Sequence, residues 1–221
     1  MFTIIPSILT NNPEEVHDVM KKLNDVILPY GFPLDRVQID INDGSFLEVK
    51  TIEPNLLFNI ETDLNIDFHL MTKEPATWVE DCVRGQADRI IGQVEKMNDQ
   101  IGFVGKVSEV GCKVGLAVDI ETSLDQLDES ITTSLDVILL MGYPAGYGGQ
   151  KFNERVLEKV NTLKEMREAD PKPFKICVDG GIDLDNIKRV KMAGADEVTI
   201  GKKLIGGDVE ANFEKFIKAL Y

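Results

Sequence analysis

The chain is poor in basic residues: 24 Lys and Arg stand against 38 Asp and Glu, for a formal net charge of −14 and a pI near 4.6. Nucleic acid and anionic lipid both demand clustered positive charge, so neither is expected as a partner. An anionic small molecule stays open, because one local site can differ in sign from the whole. Cysteine is scarce too, with Cys82, Cys112 and Cys177 and no CxxC pair. An odd number without ligand spacing argues against a disulfide framework or a zinc knuckle and for reduced thiols. The opening residues MFTIIPSILTNNPEE lack a basic stretch followed by a long apolar run, so no secretory signal is expected. No segment reaches the roughly 18 apolar residues that span a bilayer. A soluble, cytoplasmic protein is the expectation.

What is present is a recurring alternation. With 221 residues and 43% hydrophobic content the chain can bury a sizeable core, and no composition break or Pro/Ser-rich linker divides it, so one domain over residues 1–221 is expected. Short runs rich in Val and Ile predict eight strands: Phe2 to Pro6, Val37 to Ile41, Asn65 to Leu70, Arg89 to Gln93, Lys113 to Val118, Val137 to Met141, Phe174 to Val178 and Glu197 to Ile200. Amphipathic stretches lie between them. Pro13 to Leu28 reads as a helix capped by Asn12, with Pro13 at its first position, Glu15 completing a capping box, and Val16, Val19, Met20, Leu23, Val26 and Ile27 on one face. Asn153 can cap a helix carrying Val156, Val160 and Leu163, Asp185 can start one that ends at Gly194, and Val209 to Leu220 closes the chain. Strands alternating with helices predict parallel pairing. Eight such units in about 200 to 250 residues fit a (β/α)8 TIM barrel better than an open sheet. The irregular connection from Asp43 to about Pro54 would then cover the active face.

In such a barrel the chemistry sits at the C-terminal ends of the strands. Ser7 follows the first predicted strand, Gln38 and Asp40 end the second, His69 and Met71 the third, Met141 the sixth and Asp179 the seventh. Parity puts Gln38 with Asp40, His69 with Met71, and Cys177 with Asp179, and places Gln38 one layer beneath Asp40. A lone Asp40 reads equally as a cap or an ion-pair partner, and a lone His69 as a core histidine. Together, Asp40, His69 and Asp179 offer mixed oxygen and nitrogen ligands for a divalent metal and two carboxylates for acid/base work. His17 belongs to the polar face of the first helix. Glycines cluster at Gly146, Gly148 and Gly149, at Gly180 and Gly181, and at Gly201, where Lys202 follows. Loops of this kind let backbone N–H groups face a phosphate, and Lys202 adds positive charge.

Six stretches, in order along nearly the whole chain, resemble the ribulose-phosphate 3-epimerase family and its relatives acting on hexulose phosphates. They are PSIL at Pro6 to Leu9, DINDGSF at Asp40 to Phe46, DFHLM at Asp67 to Met71, LLM with GYGGQKF from Leu139 to Phe152, VDGGI at Val178 to Ile182, and AGADEV at Ala193 to Val198. The resemblance implies a phosphate-binding (β/α)8 barrel that inverts C3 of a ketose phosphate, such as D-ribulose 5-phosphate, through an enediolate. It implies Asp40 and Asp179 as acid and base. Ser7, His69, Met71, Met141, Gly146, Gly148, Gly149, Gly180, Gly181, Gly201 and Lys202 would contact the substrate. Asp40, His69 and Asp179 would hold a divalent cation, Zn, Mn or Mg. A homodimer is the expected assembly.

The sequence departs from that pattern around the site. Gln38 stands where the family usually has a histidine ligand, so its neutral carbonyl oxygen would be the fourth ligand, suiting Mg²⁺ or Mn²⁺ better than Zn²⁺. The family's histidine near the end of the fourth strand is replaced in Gly92-Gln93-Val94-Glu95, Asp119-Ile120 replaces Asn-Pro, Pro144-Ala145-Gly146 replaces Asn-Pro-Gly, and Gly201-Lys202 replaces Gly-Ser. An alternative reading is a noncatalytic sugar-phosphate binder or regulator with a degraded metal site, which Gln38 favours. A decarboxylase or aldolase of the same barrel type would carry a DxKxxD pattern, whereas His69 stands at the lysine position of Asp67-Phe68-His69.

Overall fold

The computed structural model describes residues 2–168 and 173–221. Eight parallel strands close into a barrel in sequence order, and the last pairs with the first. They are β1 (Thr3–Ile8), β2 (Arg36–Asn42), β3 (Asn65–Met71), β4 (Ala87–Gln93), β5 (Lys113–Val118), β6 (Val137–Met141), β7 (Lys175–Asp179) and β8 (Glu197–Ile200). The predicted strands are all present, three with the expected bounds. β1 extends two residues further than predicted, so Ser7 lies within the strand, in register with Gln38 on β2.

Every residue of β2 is buried, which is why these strands read as continuous apolar runs: a parallel strand in a barrel has helices on one side and the barrel lumen on the other. Outward positions such as Ile39, Phe68, Ile90, Leu116, Ile138 and Val178 belong to the large cluster that packs under the helices. Inward positions Met71, Ile91, Ala117, Val137, Leu139, Met141 and Cys177 form a separate, smaller cluster.

The helices are α1 (Pro13–Asp25), α2 (Val79–Arg84), α3 (Gln100–Glu109), α4 (Arg155–Glu168), α5 (Ile187–Ala193), α6 (Lys202–Ile205) and α7 (Val209–Ala219). The β2–β3 and β5–β6 connections carry 3₁₀ turns instead of α-helices, at Pro54–Asn59 and at Leu124–Gln126 and Glu129–Ser134. Asn12 caps α1 by accepting from the Glu14 N–H at 3.0 Å, an arrangement worth about 1 kcal/mol. Pro13 opens the helix and Val16, Val19, Met20 and Leu23 are buried as predicted, but the capping box does not form. Glu15 accepts from the Thr10 hydroxyl rather than reaching back to Asn12, and the Asn12 N–H donates to Thr10 Oγ1. Helix α1 ends at Asp25, and Ile27 is exposed because the chain has already turned extended at Val26. Asn153 accepts from the Arg155 N–H at the start of α4. Helix α5 begins at Ile187 rather than at Asp185, because Asp183 Oδ1 takes the N–H groups of both Asp185 and Asn186 in a turn that precedes it. Among the described residues no helix is long and apolar enough to cross a membrane.

The N-terminal end of the lumen is filled with charge. Arg89 donates to Asp67 and, at 2.9 Å, to Glu197 Oε2; Arg36 donates to Asp67 and, at 2.8 Å, to Asp88; Lys175 donates to Glu197 Oε1 at 2.6 Å. Asp67, Arg89 and Glu197 are buried, and burial works against all three charges. Partners of opposite sign prevail at Arg89 and Glu197 and hold both ionised, whereas at Asp67 burial outweighs the two arginines and raises the carboxyl.

Candidate active site

At the C-terminal end of the strands lies a cavity of about 320 Å³. Its walls include Ser7, Asp40, His69, Met71, Met141, Gly146, Gly148, Gly149, Asp179, Gly180, Gly181, Gly201 and Lys202, so every substrate-contact position expected from the sequence borders one space. A larger hollow of about 760 Å³ around Asn24, Phe58, Thr62 and Gln86 sits at the opposite end of the strands, and its ionisable lining residues are Glu61 and Asp63.

Asp40 and Asp179 reach the cavity from β2 and β7 and are 6% and 7% exposed. His69 Nδ1 is 3.1 Å from Asp40 Oδ1 and 3.7 Å from Asp179 Oδ2. One ligand atom from each of Asp40, His69 and Asp179 lies within 4.8 Å of the others, and this group could hold a metal ion. Two oxygens and an imidazole nitrogen suit a divalent cation of intermediate hardness. His69 Nε2 is buried without a partner, as are both polar atoms of Gln93 and Glu95 Oε2.

Gln38 is fully buried beneath this group and does not border the cavity. The sequence predicted its carbonyl oxygen toward the metal position. The structure has the opposite end of the amide there: Nε2 donates to Asp40 Oδ1 at 2.8 Å and to Asp179 Oδ2 at 2.6 Å. Its Oε1 is turned to β8, where the Thr199 hydroxyl donates to it at 3.2 Å. An amide oxygen facing two carboxylate oxygens would be repelled, whereas the N–H₂ end gives each of them a donor.

Burial and the charge of Asp40 push the Asp179 carboxyl up to about 7, against the opposing pull of His69 and the Gln38 hydrogen bond. Burial disfavours a charged His69, but the hydrogen bond to Asp40 and the charges of Asp40, Asp179 and Glu95 outweigh it and raise the imidazole. The Tyr143 phenol, whose ring packs against the lumen cluster, is driven upward by burial and by both aspartates, and stays neutral.

The loops at the mouth depend on glycine where backbones meet. A Cβ on Gly181, at φ 72°, would sit 2.6 Å from the Phe152 backbone nitrogen. One on Gly146, at φ 122°, would sit 2.6 Å from Leu47 Cγ, which brings the Asp43–Pro54 connection against the β6–α4 loop. That connection also carries a bridge between Asp43 and Lys50, and Phe46 packs on the lumen cluster beside Met71 and Met141. Asp119 fixes the same β6–α4 loop from below, accepting from the Ala145 N–H at 2.6 Å. Lys202 is exposed at the rim, and Lys203 beside it lies 3.6 Å from Asp183. Sequence reading missed Thr199 as a neighbour of the site; the parity of β8 would have pointed to it, two residues from buried Glu197.

Residues 3–205 match the model of the ribulose-phosphate 3 epimerase family. The chain belongs to that family. A ribulose-phosphate 3-epimerase of Aquifex aeolicus is 35% identical over 184 residues, 82% of each chain. That of Bacillus subtilis is 32% identical over 213 residues, 93% of each. Among solved structures, KGPDC from Streptococcus mutans superposes with a TM-score of 0.71 over 100% of this chain and 97% of that one, at 13% identity, a likeness of fold. In this member of the family, the buried Gln38 amide brings a neutral donor between the two acids.

Proposed function

We propose that this protein is a ketose-phosphate 3-epimerase, interconverting D-ribulose 5-phosphate and D-xylulose 5-phosphate or a related hexulose phosphate pair. The observation that carries the reading is the pair Asp40 and Asp179, held by strands β2 and β7 and facing one cavity. With the sugar between them, one carboxylate removes the C3 proton and the other, protonated, returns one to the opposite face, through an enediolate shared by the C2 and C3 oxygens. The raised Asp179 supports this division, because an acid/base pair needs one member protonated and one ionised near neutral pH.

Asp40, His69 and Asp179 would hold a divalent cation, Zn²⁺, Mn²⁺ or Mg²⁺, which when bound stabilises negative charge on the sugar oxygens. Met71 and Met141 give the reacting carbons an apolar wall. Ser7 donates or accepts at the sugar. The backbone at Gly146, Gly148, Gly149, Gly180, Gly181 and Gly201, with Lys202, takes the phosphate; all of these residues line the same cavity as the acid pair. The chain works as a single cytoplasmic domain, in a homodimer, without nucleic acid or membrane; its charge of −14 and three free cysteines support that setting.

Proton NMR of D-ribulose 5-phosphate in D₂O with the purified protein tests the reading. Loss of the C3 proton signal, with D-xylulose 5-phosphate appearing, is expected with added Mn²⁺. No exchange with this sugar or with hexulose 6-phosphates, in any condition, would overturn it.

A further inference from the structure

We propose that Gln38 is a positioning residue that stands in for the cation: its amide bridges the two aspartates and keeps the acid/base pair competent in cation-free protein. This rests on the reading of Asp40 and Asp179 as that pair.

The argument begins with orientation. Cys177 Sγ lies 3.4 Å from Thr199 Oγ1, and Thr199 in turn lies 3.2 Å from Gln38 Oε1. Gln38 Oε1 can only accept, so the single Thr199 hydroxyl proton goes to it and the Cys177 S–H donates to the Thr199 oxygen. The chain of bonds therefore runs in one direction: thiol to hydroxyl, hydroxyl to amide oxygen, amide N–H groups to Asp40 and Asp179. Each donor in it has an acceptor, and bonds aligned this way polarise one another. All five side chains are buried, so water does not compete for these positions.

Nε2 sits at the centre formed by the two carboxylates that would also hold a cation. It touches an oxygen of each carboxylate, at 2.8 and 2.6 Å, from below, leaving the cavity side of both acids open to the sugar. Two N–H donors there lower the repulsion between the carboxylates and hold them at a fixed separation. A cation can share that centre with Gln38 as ligand only if the amide turns over, offering Oε1 inward and Nε2 to Thr199. Turning it reverses the run from Cys177: the Thr199 oxygen would accept from Nε2, and its proton would be left with the Cys177 sulfur, a weak acceptor, in place of the amide oxygen. Cation binding is thereby opposed by the protein's own hydrogen bonds, and the neutral bridge is the resting arrangement.

Three measurements on the full chain test this. First, protein stripped with a chelator is assayed for C3 proton exchange with D-ribulose 5-phosphate. Exchange within about tenfold of the Mn²⁺-loaded rate is expected; exchange seen only with Mn²⁺ would overturn the bridge while leaving the epimerase reading intact. Second, the Gln38 side-chain amide signals, assigned by their loss in Gln38→Glu or Gln38→His, are followed by ¹⁵N NMR in stripped protein. Slow exchange with solvent and a shift on Asp179→Asn are expected; a rapidly exchanging, unshifted pair would overturn the bridge even if no sugar is turned over. Third, calorimetry gives the Mn²⁺ affinity. Gln38→Glu keeps the shape and the acceptor for Thr199 but removes the donor, so it should bind Mn²⁺ at least tenfold more tightly than the natural protein and lose exchange when stripped. Equal affinity, or unchanged cation-free exchange in that variant or in Gln38→His, would overturn the proposal.

Discussion

The Thr199 hydroxyl donates to Gln38 Oε1 at 3.2 Å, and that bond turns the other end of the amide toward Asp40 and Asp179. A residue on β8 thus decides what two carboxylates on β2 and β7 meet. Thr199→Val keeps the shape and deletes the donor. It should loosen the Gln38 amide, with faster solvent exchange of its N–H₂ signals and a rise in Mn²⁺ affinity of about tenfold, an effect of the size of one buried hydrogen bond. Calorimetry and NMR on the variant check both.

Asp40→Asn and Asp179→Asn should each slow C3 proton exchange by about 10²- to 10⁴-fold or more, the range of a positioned acid or base. The fold should survive. A carboxyl whose pKa is raised on folding is stabilising below its unfolded value and loses that contribution as pH climbs through the folded one, here about 7. Asp179→Asn should therefore melt no lower than the natural protein at pH 8, which thermal unfolding followed by circular dichroism measures.

The pair should also set the pH profile. One proton shared between Asp40 and Asp179 is the active form for both directions of an epimerisation, so kcat/KM in cation-free protein should fall above about pH 7 alike from either sugar. A profile flat to pH 9 would show that this carboxyl does not govern turnover.

Lys202 stands at the rim among the phosphate-side glycines. Lys202→Ala should raise KM about tenfold for the phosphorylated sugar while moving kcat less, and should weaken the salt dependence of kcat/KM. Steady-state kinetics at two ionic strengths separates this from damage to the acid/base pair.

At the other end of the lumen, Arg89→Met would leave Asp67 and Glu197 buried short of a partner. Losses on breaking such an arrangement run to about 3 to 5 kcal/mol. Urea unfolding should show a lower midpoint at unchanged slope, with any remaining activity normal in KM.

The strands were legible because both faces of each are buried: runs such as Val-Ile-Leu-Leu-Met at β6 admit no amphipathic helix. Parity then brought Asp40, His69 and Asp179 to one end, where the structure has them together. The ends of helices were read less well. Asp183 and Thr10 each compete for groups that local spacing assigned to Asp185 and to Asn12 with Glu15, and only the folded turn shows which wins. The face of Gln38 was beyond sequence altogether. An amide offers a donor and an acceptor, and the choice belongs to Thr199, 161 residues away in the chain.

The floor of arginines and acids gives the barrel a stopper. Arg36, Asp67, Arg89 and Glu197 interlock across the lumen under the working residues, so a molecule in the cavity faces a vessel with a single opening. Sugar must come and go past the same rim, and a compound lodged beneath the Leu47–Gly146 contact would block arrival and departure together. A compound that fills this cavity should then behave as a cork and compete with substrate.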